Sequence, residues 1–276
     1  MRIGGPVPAG TDPDEWVSGL RAKGYRAAYC PLGPGSDGDT RARFRDAARE
    51  GDVVMAEVGA WSNPISRDPA ERKAARRKCC EQLSLAEDVG ARCCVNIAGS
   101  RGRSWDGPDA DNLNDGTFRA IVESVRDIID EVNPASTYYT LETMPWIFPD
   151  SPDSYLELMD AVDRDRFAVH LDPVNLINSP RRYYDSSGLL RECFEKLGGQ
   201  VRSCHAKDIL LSERLTVHLD EVRPGLGNLD YPTYLAQLSR LDPDTPLMME
   251  HLSSQEEYSE ALAYIRSIAG ELGLEL

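Results

Sequence analysis

Short apolar runs alternate with helix-like segments along almost the whole chain. The apolar runs have the length and residue types of buried β-strands. They lie at Arg2–Gly5, Arg26–Pro31, Val53–Val58, Cys93–Ala98, Tyr138–Met144, Phe167–Leu171, Val201–Lys207 and Leu247–Leu252. Segments with helical spacing of apolar residues follow them, at Asp14–Ala22, Arg41–Glu50, Ala70–Val89, Thr117–Val132, Ser154–Val162, Gly188–Leu197, Tyr231–Arg240 and Gln255–Leu272.

This alternation predicts repeated βα units, hence an α/β fold with a parallel sheet. Eight strands and eight helices favour a closed (β/α)8 TIM barrel, and 276 residues suit one such domain over residues 1–276. An open doubly wound sheet is the alternative, but no Gly-x-Gly-x-x-Gly follows a predicted strand. The irregular segments Gly99–Asn114 and Leu210–Asn228 exceed ordinary connections and are predicted to be functional loops.

Charge and cysteine usage narrow the function classes. A net charge of −15 disfavours binding to a nucleic-acid backbone. The seven cysteines include no Cys-x-x-Cys pair, so they are expected to be free thiols that pack as small apolar residues. The N-terminus lacks a signal-peptide pattern, and no apolar run approaches the ~20 residues of a membrane span. We therefore expect a cytoplasmic protein without membrane contact.

Four predicted strands each carry a potential metal ligand late in the apolar run, at Glu142, Asp172, His205 and Glu250. In a TIM barrel the functional groups come from the C-terminal ends of the strands, so these four can converge. Three carboxylates and one imidazole suit Mn²⁺ or Mg²⁺, with Co²⁺ as a further candidate, better than a thiolate-rich zinc site.

Each of the four also has a simpler interpretation. Glu142 and Glu250 could form ion pairs with arginine, which accounts for 26 of the 31 basic residues. Asp172 precedes a proline and could cap a turn. His205 could be a core histidine bonded to a backbone carbonyl. His170 lies two residues before Asp172 on the same strand face, and it is expected to support the site from one layer deeper.

Other residues near strand ends are candidates for substrate binding. Glu57 lies among small and apolar residues, and its alternative is a salt bridge with an arginine. Lys207 shares the inward face of His205, and its alternative is an ion pair with Asp208 or a neighbouring carboxylate. Arg101, in a Gly-Ser-Arg loop, could bind a carboxylate or phosphate or remain solvated.

Two tryptophans and one histidine complete the set. Trp61 and Trp146 could form an apolar wall against the C–H face of a sugar, or pack in the core. His251 follows Glu250 and is expected to face the helices as a structural residue.

Five motifs in the C-terminal half, taken in order, resemble one family. They are Leu141-Glu-Thr-Met144, Leu171-Asp-Pro-Val-Asn175, Cys204-His-Ala-Lys-Asp208, Arg223-Pro-Gly-Leu-Gly-Asn-Leu-Asp230 and Met249-Glu250. With them the chain resembles the xylose isomerase-like barrel superfamily, the sugar phosphate isomerase/epimerase group that includes ketose 3-epimerases, inosose dehydratases and hydroxypyruvate isomerases. The N-terminal half resembles this family only in its alternation of predicted strands and helices.

The resemblance implies one divalent metal ion held by Glu142, Asp172, His205 and Glu250, with the two glutamates also moving protons. It further implies a carbohydrate substrate and a homo-oligomer, a dimer or a tetramer. Many members carry histidine three residues after the metal aspartate, whereas this chain has Asn175. Asparagine can donate to a sugar hydroxyl but cannot act as a cationic acid.

The expected activity is an isomerase or epimerase reaction on a sugar, keto-sugar or cyclitol, which begins by removing a proton next to a carbonyl and passes through an enediolate. The alternative is a dehydratase or lyase on a keto-sugar, keto-glycoside or keto-inositol at the same metal site. A non-catalytic sugar-binding barrel and a nuclease with a trinuclear zinc centre are further alternatives. The absence of a glycine-rich phosphate cradle favours an unphosphorylated substrate.

Overall fold

Eight parallel strands close into a barrel in the computed structural model, which describes residues 1–8 and 10–276. Their bounds are β1 Arg2–Gly4, β2 Ala27–Tyr29, β3 Val54–Gly59, β4 Cys93–Asn96, β5 Tyr138–Glu142, β6 Phe167–Leu171, β7 Val201–Ala206 and β10 Pro246–Met249. Around the barrel these strands follow the order β1-β10-β7-β6-β5-β4-β3-β2. The predicted (β/α)8 barrel is confirmed.

Helices surround the barrel and connect its strands. They are α1 Pro13–Lys23, α2 Gly38–Glu50, α3 Pro69–Val89, α4 Asp115–Val132, α5 Pro152–Val162, α6 Pro180–Tyr184, α7 Ser186–Leu197, α8 Tyr231–Leu238 and α9 Gln255–Glu271. Among the described residues, none of these helices has both the length and the apolar character that crossing a membrane requires.

Local chemistry explains where several helices begin. Asp12 and Asp68 each accept hydrogen bonds from two backbone amides of the first helical turn, and a proline follows each of them. Proline has no amide donor, so the first turn, where that donor would be unpaired, tolerates it. Ser151 and Ser154 form a reciprocal capping box at the start of α5.

The parallel register fixes which strand residues are neighbours inside the barrel. Glu142 pairs with His170, His170 pairs with Ser203, and His205 pairs with Met248. Because successive side chains on a strand alternate between faces, the register carries these polar groups to the barrel axis. The metal ligands predicted on β5, β6, β7 and β10 are therefore brought to one end.

The segment Leu210–Asn228 is not irregular throughout, contrary to the prediction. An antiparallel hairpin, β8 Asp208–Leu211 and β9 Leu219–Val222, projects from the end of β7. Both strands have only 4 residues, and β9, with Asp220 and Glu221 at its centre, lacks the apolar run of a barrel strand. The sequence pattern also did not predict helix α6, because its 5 residues are too few to show helical periodicity.

Candidate metal centre

The four predicted ligands meet at the C-terminal end of the barrel. Each offers one ligand atom, and these atoms all lie within 4.8 Å of one another. His205 Nδ1 is 2.8 Å from Glu250 Oε1, 3.3 Å from Glu142 Oε1 and 3.7 Å from Asp172 Oδ2. Glu142 ends β5, Asp172 follows β6, His205 lies in β7 and Glu250 follows β10, so four separate strands supply one cluster.

The donor atoms fit a hard divalent cation. Asp172 Oδ2 and Glu250 Oε1 are buried, and both lie next to the single ammonium group of Lys207. Three largely buried carboxylates that share one ammonium carry excess negative charge, which is costly unless a further cation neutralises it. Three carboxylates and one imidazole are the oxygen-rich set that Mn²⁺ or Mg²⁺ prefers. The geometry thus brings the four predicted ligands together.

Lys207 supplies positive charge to the same carboxylates. Its ammonium lies 2.7 Å from Asp172 Oδ2 and 2.5 Å from Glu250 Oε1, and its side chain is only 2% exposed. Burial by itself lowers the pKa of Lys207, but Asp172 and the neighbouring glutamates outweigh burial and hold that pKa well above its usual value. The ion pair is therefore with the candidate ligands rather than with Asp208.

Asp208 has a different role. Its carboxylate accepts hydrogen bonds from the backbone amides of Ile209, Gly225, Gly227 and Leu229. A Cβ built at Gly227 would lie 2.3 Å from Asp208 Oδ1, so this close approach needs glycine. Asp208 thereby fixes the turn that follows the β8–β9 hairpin.

Lys207 and His205 lower the pKa values of the neighbouring carboxyl groups. Burial raises the pKa of Asp172, but Lys207 and His205 outweigh burial and leave the pKa far below its ordinary range. Burial likewise raises the pKa of Glu250, yet His205 and Lys207 bring it to about 2. Both side chains are therefore ionised near neutral pH and able to bind a cation.

Glu57 does not lie where a substrate would contact it, which corrects the prediction. Its side chain is buried beneath His205, with Oε2 3.4 Å from His205 Nε2 and Oε1 3.0 Å from His170 Nε2. Ser203 donates to Glu57 Oε1. Burial raises the pKa of Glu57, but the two histidines outweigh burial and lower it. Alternation along β3 indicates the inward face, whereas the depth in the barrel depends on strand tilt and register.

His170 lies in the layer below the four ligands, in agreement with the prediction. Its ring centroid is 4.2 Å from that of His205, in an edge-to-face arrangement. Glu57, His170 and His205 form a second group with metal-binding atoms close together. All three are fully buried and His205 belongs to both groups, so this deeper group supports the first one from below.

A cavity of about 440 Å³ opens above the carboxylates. Of the predicted site residues, Glu142, Glu250, Lys207, Asn175 and Trp61 line it. Asn175 Nδ2 donates to Glu142 Oε1 at 3.1 Å, so the asparagine also holds a ligand carboxylate in place. Asp172 and His205 lie below the floor of this cavity.

Arg101 and Trp146 do not line this cavity, so the structure does not support the substrate contacts predicted for them. Arg101 Nη1 donates to Ile65 O at 2.5 Å and ties two loops together. Trp146 Nε1 donates to Asp106 O at 2.8 Å, and this bond holds the loop that carries Asp106. Both side chains stabilise loops around the site.

Other cavity residues were missed from the sequence, chiefly Tyr29, Trp105, Glu221, His251 and Tyr258. The structural role predicted for His251 is wrong: its side chain is 60% exposed and lies 3.1 Å from Glu221 Oε1. Strand β10 ends at Met249, and His251 has a φ of 57°, so strand alternation no longer applies there. The only available signal for Trp105 was its position in the long Gly99–Asn114 segment.

A larger cavity of about 580 Å³ lies at the opposite end of the barrel. It is lined by residues at or before the starts of strands, among them Arg92, Tyr138 and Arg202, and it includes none of the candidate ligands. Because TIM-barrel chemistry takes place at the C-terminal strand ends, volume alone does not identify the functional site.

The sequence model of the xylose isomerase-like TIM barrel matches residues 19–268. The chain belongs to the xylose isomerase-like TIM barrel family. No curated protein matches it significantly.

Solved structures of several activities share the fold. The probable 3-DHS dehydratase AsbF of Bacillus anthracis is 17% identical with a TM-score of 0.71, covering 97% of this chain and 98% of that one. The 3-keto-D-glucoside 4-epimerase YcjR of E. coli is 15% identical with a TM-score of 0.69, covering 97% and 99%. Endonuclease IV of Thermus thermophilus is 15% identical with a TM-score of 0.70, covering 98% and 100%. At these identities the similarity establishes the fold and leaves the reaction open.

Proposed function

We propose that the chain is a divalent-metal-dependent isomerase or epimerase of a sugar, keto-sugar or cyclitol, and that its reaction begins with removal of a proton next to a carbonyl. The observation that carries the proposal is the cluster of Glu142, Asp172, His205 and Glu250, whose ligand atoms lie within 4.8 Å of one another beneath an open cavity. Mn²⁺ is the proposed ion, with Mg²⁺ and Co²⁺ as alternatives.

A bound divalent ion at this cluster supplies Lewis-acid polarisation of a substrate carbonyl. Glu142 and Glu250 both line the cavity, and we assign them the proton transfers. Asn175 orients Glu142 through its 3.1 Å hydrogen bond, which leaves the other carboxylate oxygen free to take a proton. His205 and Lys207 lower the pKa of Glu250 to about 2, so its carboxylate is an anion before turnover.

Removal of the same proton can also start an elimination, because the negative charge that forms next to the carbonyl can expel a hydroxyl or a glycosidic oxygen from the β-carbon. Epimerisation returns the proton to the same carbon from the other side, and isomerisation returns it to the neighbouring carbon. We favour epimerisation or isomerisation because Glu142 and Glu250 provide two separate carboxylates for proton removal and return.

A nuclease activity receives less support. The described residues offer two groups with metal-binding atoms close together, and these groups share His205. The chain has a net charge of −15, which opposes binding to a phosphate backbone.

The deciding experiment follows the proton in deuterated water. The Mn²⁺-loaded protein is incubated with free ketoses, keto-glycosides and keto-inositols, and products are analysed by NMR and mass spectrometry. The proposal expects one deuterium at the carbon next to the carbonyl, and Glu142→Gln and Glu250→Gln should abolish its incorporation. A substrate that carries a deuterium label at that carbon tests the alternative of hydride transfer. If turnover in ordinary water keeps the whole label in the product but moves it to the neighbouring carbon, and no solvent deuterium is incorporated in the first experiment, the proposal is refuted.

A further inference from the structure

The walls of the cavity differ in character from its floor. The floor carries carboxylates, whereas the aromatic side chains of Trp61, Trp105 and Tyr258 also line the cavity. Trp61 is 37% exposed and Trp105 is 36% exposed. Because both indoles line the cavity, this accessible aromatic surface is available to a ligand inside it.

Both tryptophans are held on rigid supports. A Cβ built at Gly59 would lie 2.2 Å from Trp61 Nε1, so the indole packs directly over the end of β3. The loop that carries Trp105 is fixed by buried side chains: Ser100 Oγ donates to Gly107 O at 2.7 Å, and Asn112 Nδ2 donates to the same oxygen at 3.0 Å. Pre-organised aromatic walls lose little conformational entropy when a ligand binds.

The charges around the cavity disfavour an anionic ligand. Asp106, Glu142, Glu221 and Glu250 line it. Its lysine, Lys207, is already paired with Asp172 and Glu250, and His251 is paired with Glu221. None of the described lining residues is an arginine. Even with a divalent ion bound by Glu142 and Glu250, a phosphate or carboxylate group away from that ion would find no free guanidinium or ammonium among the described lining residues.

The cavity is large enough for a ligand that extends beyond the candidate metal ligands. Cavities of about 300–1,000 Å³ accommodate drug-sized ligands, and this one measures about 440 Å³. The candidate metal ligands and two tryptophans line the same cavity, so the ligand should have one polar part and one flat, weakly polar part.

We infer that the substrate is an uncharged keto-glycoside, whose ketone-bearing sugar ring lies on the carboxylate floor and whose second ring stacks against Trp61 and Trp105. The second ring is an aromatic aglycone or another pyranose, since both present a flat face of C–H or π character to an indole. This inference rests on the proposed function because it uses the same floor for the reacting ring.

Calorimetry on the Mn²⁺-loaded protein tests this inference without turnover. The ligands are methyl glycopyranosides of the gluco, galacto and manno series, the matching phenyl glycosides and the matching disaccharides, all of which lack the ketone and therefore bind without reacting. In at least one series the phenyl glycoside or the disaccharide should bind about tenfold more tightly than the methyl glycoside, a difference of about 1.4 kcal/mol. Phenyl and disaccharide ligands compared within that series identify which second ring is preferred.

Trp61→Ala and Trp105→Ala should each remove most of this advantage while methyl glycosides bind as before. Gly59→Ala should act like Trp61→Ala, since it displaces the indole without deleting it. Tyr184→Ala removes an exposed aromatic residue outside the cavity and serves as the control. Mn²⁺ content and melting temperature verify that each variant is folded.

Three results would overturn the inference: no binding by any of these glycosides, equal binding of the one-ring and two-ring ligands in all series, or an advantage that survives both tryptophan substitutions. Tighter binding of a sugar phosphate than of the free sugar would overturn the uncharged class. The preference for a second ring is measured by binding, so it can hold even if the deuterium experiment fails. Conversely, if deuterium is incorporated only with one-ring substrates, the inference fails while the proposed function stands.

Discussion

Glu57 Oε2 lies 3.4 Å from His205 Nε2, on the edge of the ring opposite the three candidate ligand carboxylates. Those carboxylates face Nδ1, with Glu250 Oε1 closest at 2.8 Å. A carboxylate next to Nε2 favours a proton there, which directs the lone pair of Nδ1 toward the candidate metal position. Glu57 is thus a positioning residue for His205.

Glu57→Gln should weaken Mn²⁺ binding about 10–100-fold, because supporting carboxylates of metal-bound histidines have effects of this size. The amide can present its NH₂ group to Nε2 and so favour the wrong tautomer. Calorimetry gives the affinity, and ¹⁵N NMR of the imidazole gives the tautomer. Glu213→Gln, at an exposed hairpin position, is the control. A folded Glu57→Gln protein with unchanged affinity and tautomer would exclude this role.

Lys207→Met should have opposite effects on the chelator-treated and the metal-loaded protein. The ammonium lies 2.7 Å from Asp172 Oδ2 and 2.5 Å from Glu250 Oε1, two oxygens assigned to the metal. Without metal, loss of this buried partner should cost about 3–5 kcal/mol in the free energy of unfolding. With Mn²⁺, the cost should shrink and the affinity should rise, because a competing cation is gone.

Urea unfolding with and without Mn²⁺ measures both effects, and Lys73→Met at an exposed helix position is the matched control. If Mn²⁺ binds Lys207→Met more weakly than the unaltered protein, then Lys207 supports the metal rather than competing with it.

The sequence predicted the barrel well because each βα unit repeats the same apolar pattern. It also placed Glu142, Asp172, His205 and Glu250 at one end, since parallel strands share an end and the four residues occupy matching positions. Pattern alone indicates a face of the sheet but not a depth inside the barrel. For this reason Glu57 was assigned to the substrate, although the structure buries it beneath His205.

Loop residues were harder to predict for a different reason. Trp105 and Glu221 reach the cavity from the Gly99–Asn114 loop and the β8–β9 hairpin. Their positions depend on hydrogen bonds such as those of Ser100 and Asn112, which join residues several positions apart without leaving a periodic pattern. Arg101 and Trp146 lie on similar loops and point to backbone carbonyls instead.

The cysteines should react slowly in the folded protein. Six of them are buried, and burial raises the pKa of the half-buried Cys30 to about 11 and that of Cys204 to about 12. The thiolate is the nucleophile, and each pKa unit lowers its fraction tenfold, so native Cys30 should alkylate about a hundredfold more slowly than in urea at about pH 8. Iodoacetamide labelling followed by peptide mass spectrometry measures the rates. Rapid labelling of buried cysteines in the native protein would contradict this expectation.

Glu87 should give a pH-dependent contribution to stability. It lies near the end of α3, and its carboxylate accepts hydrogen bonds from the backbone amides of Ser136 and Thr137, at 3.0 Å and 2.9 Å, just before β5. Burial raises the pKa of Glu87, but these donors outweigh burial and lower it from 4.5. Since the folded-state pKa is depressed, the contribution is present above the unfolded pKa and is lost as the pH falls through the folded value.

Glu87→Gln should therefore lower the free energy of unfolding by about 1 kcal/mol at about pH 7, where the anion accepts these bonds. The carboxylate is partly solvated, so the effect should fall at the low end for hydrogen bonds to a charged group. As the pH falls below 4.5, the difference between the two proteins should shrink, because the unaltered Glu87 itself becomes neutral. Urea unfolding across this pH range measures the difference. Glu81→Gln on the same helix is the control, since an exposed glutamate should contribute less than about 0.5 kcal/mol. A deficit for Glu87→Gln that stays constant down to about pH 3.5 would mean that the charge of Glu87 is not what stabilises the helix–strand contact.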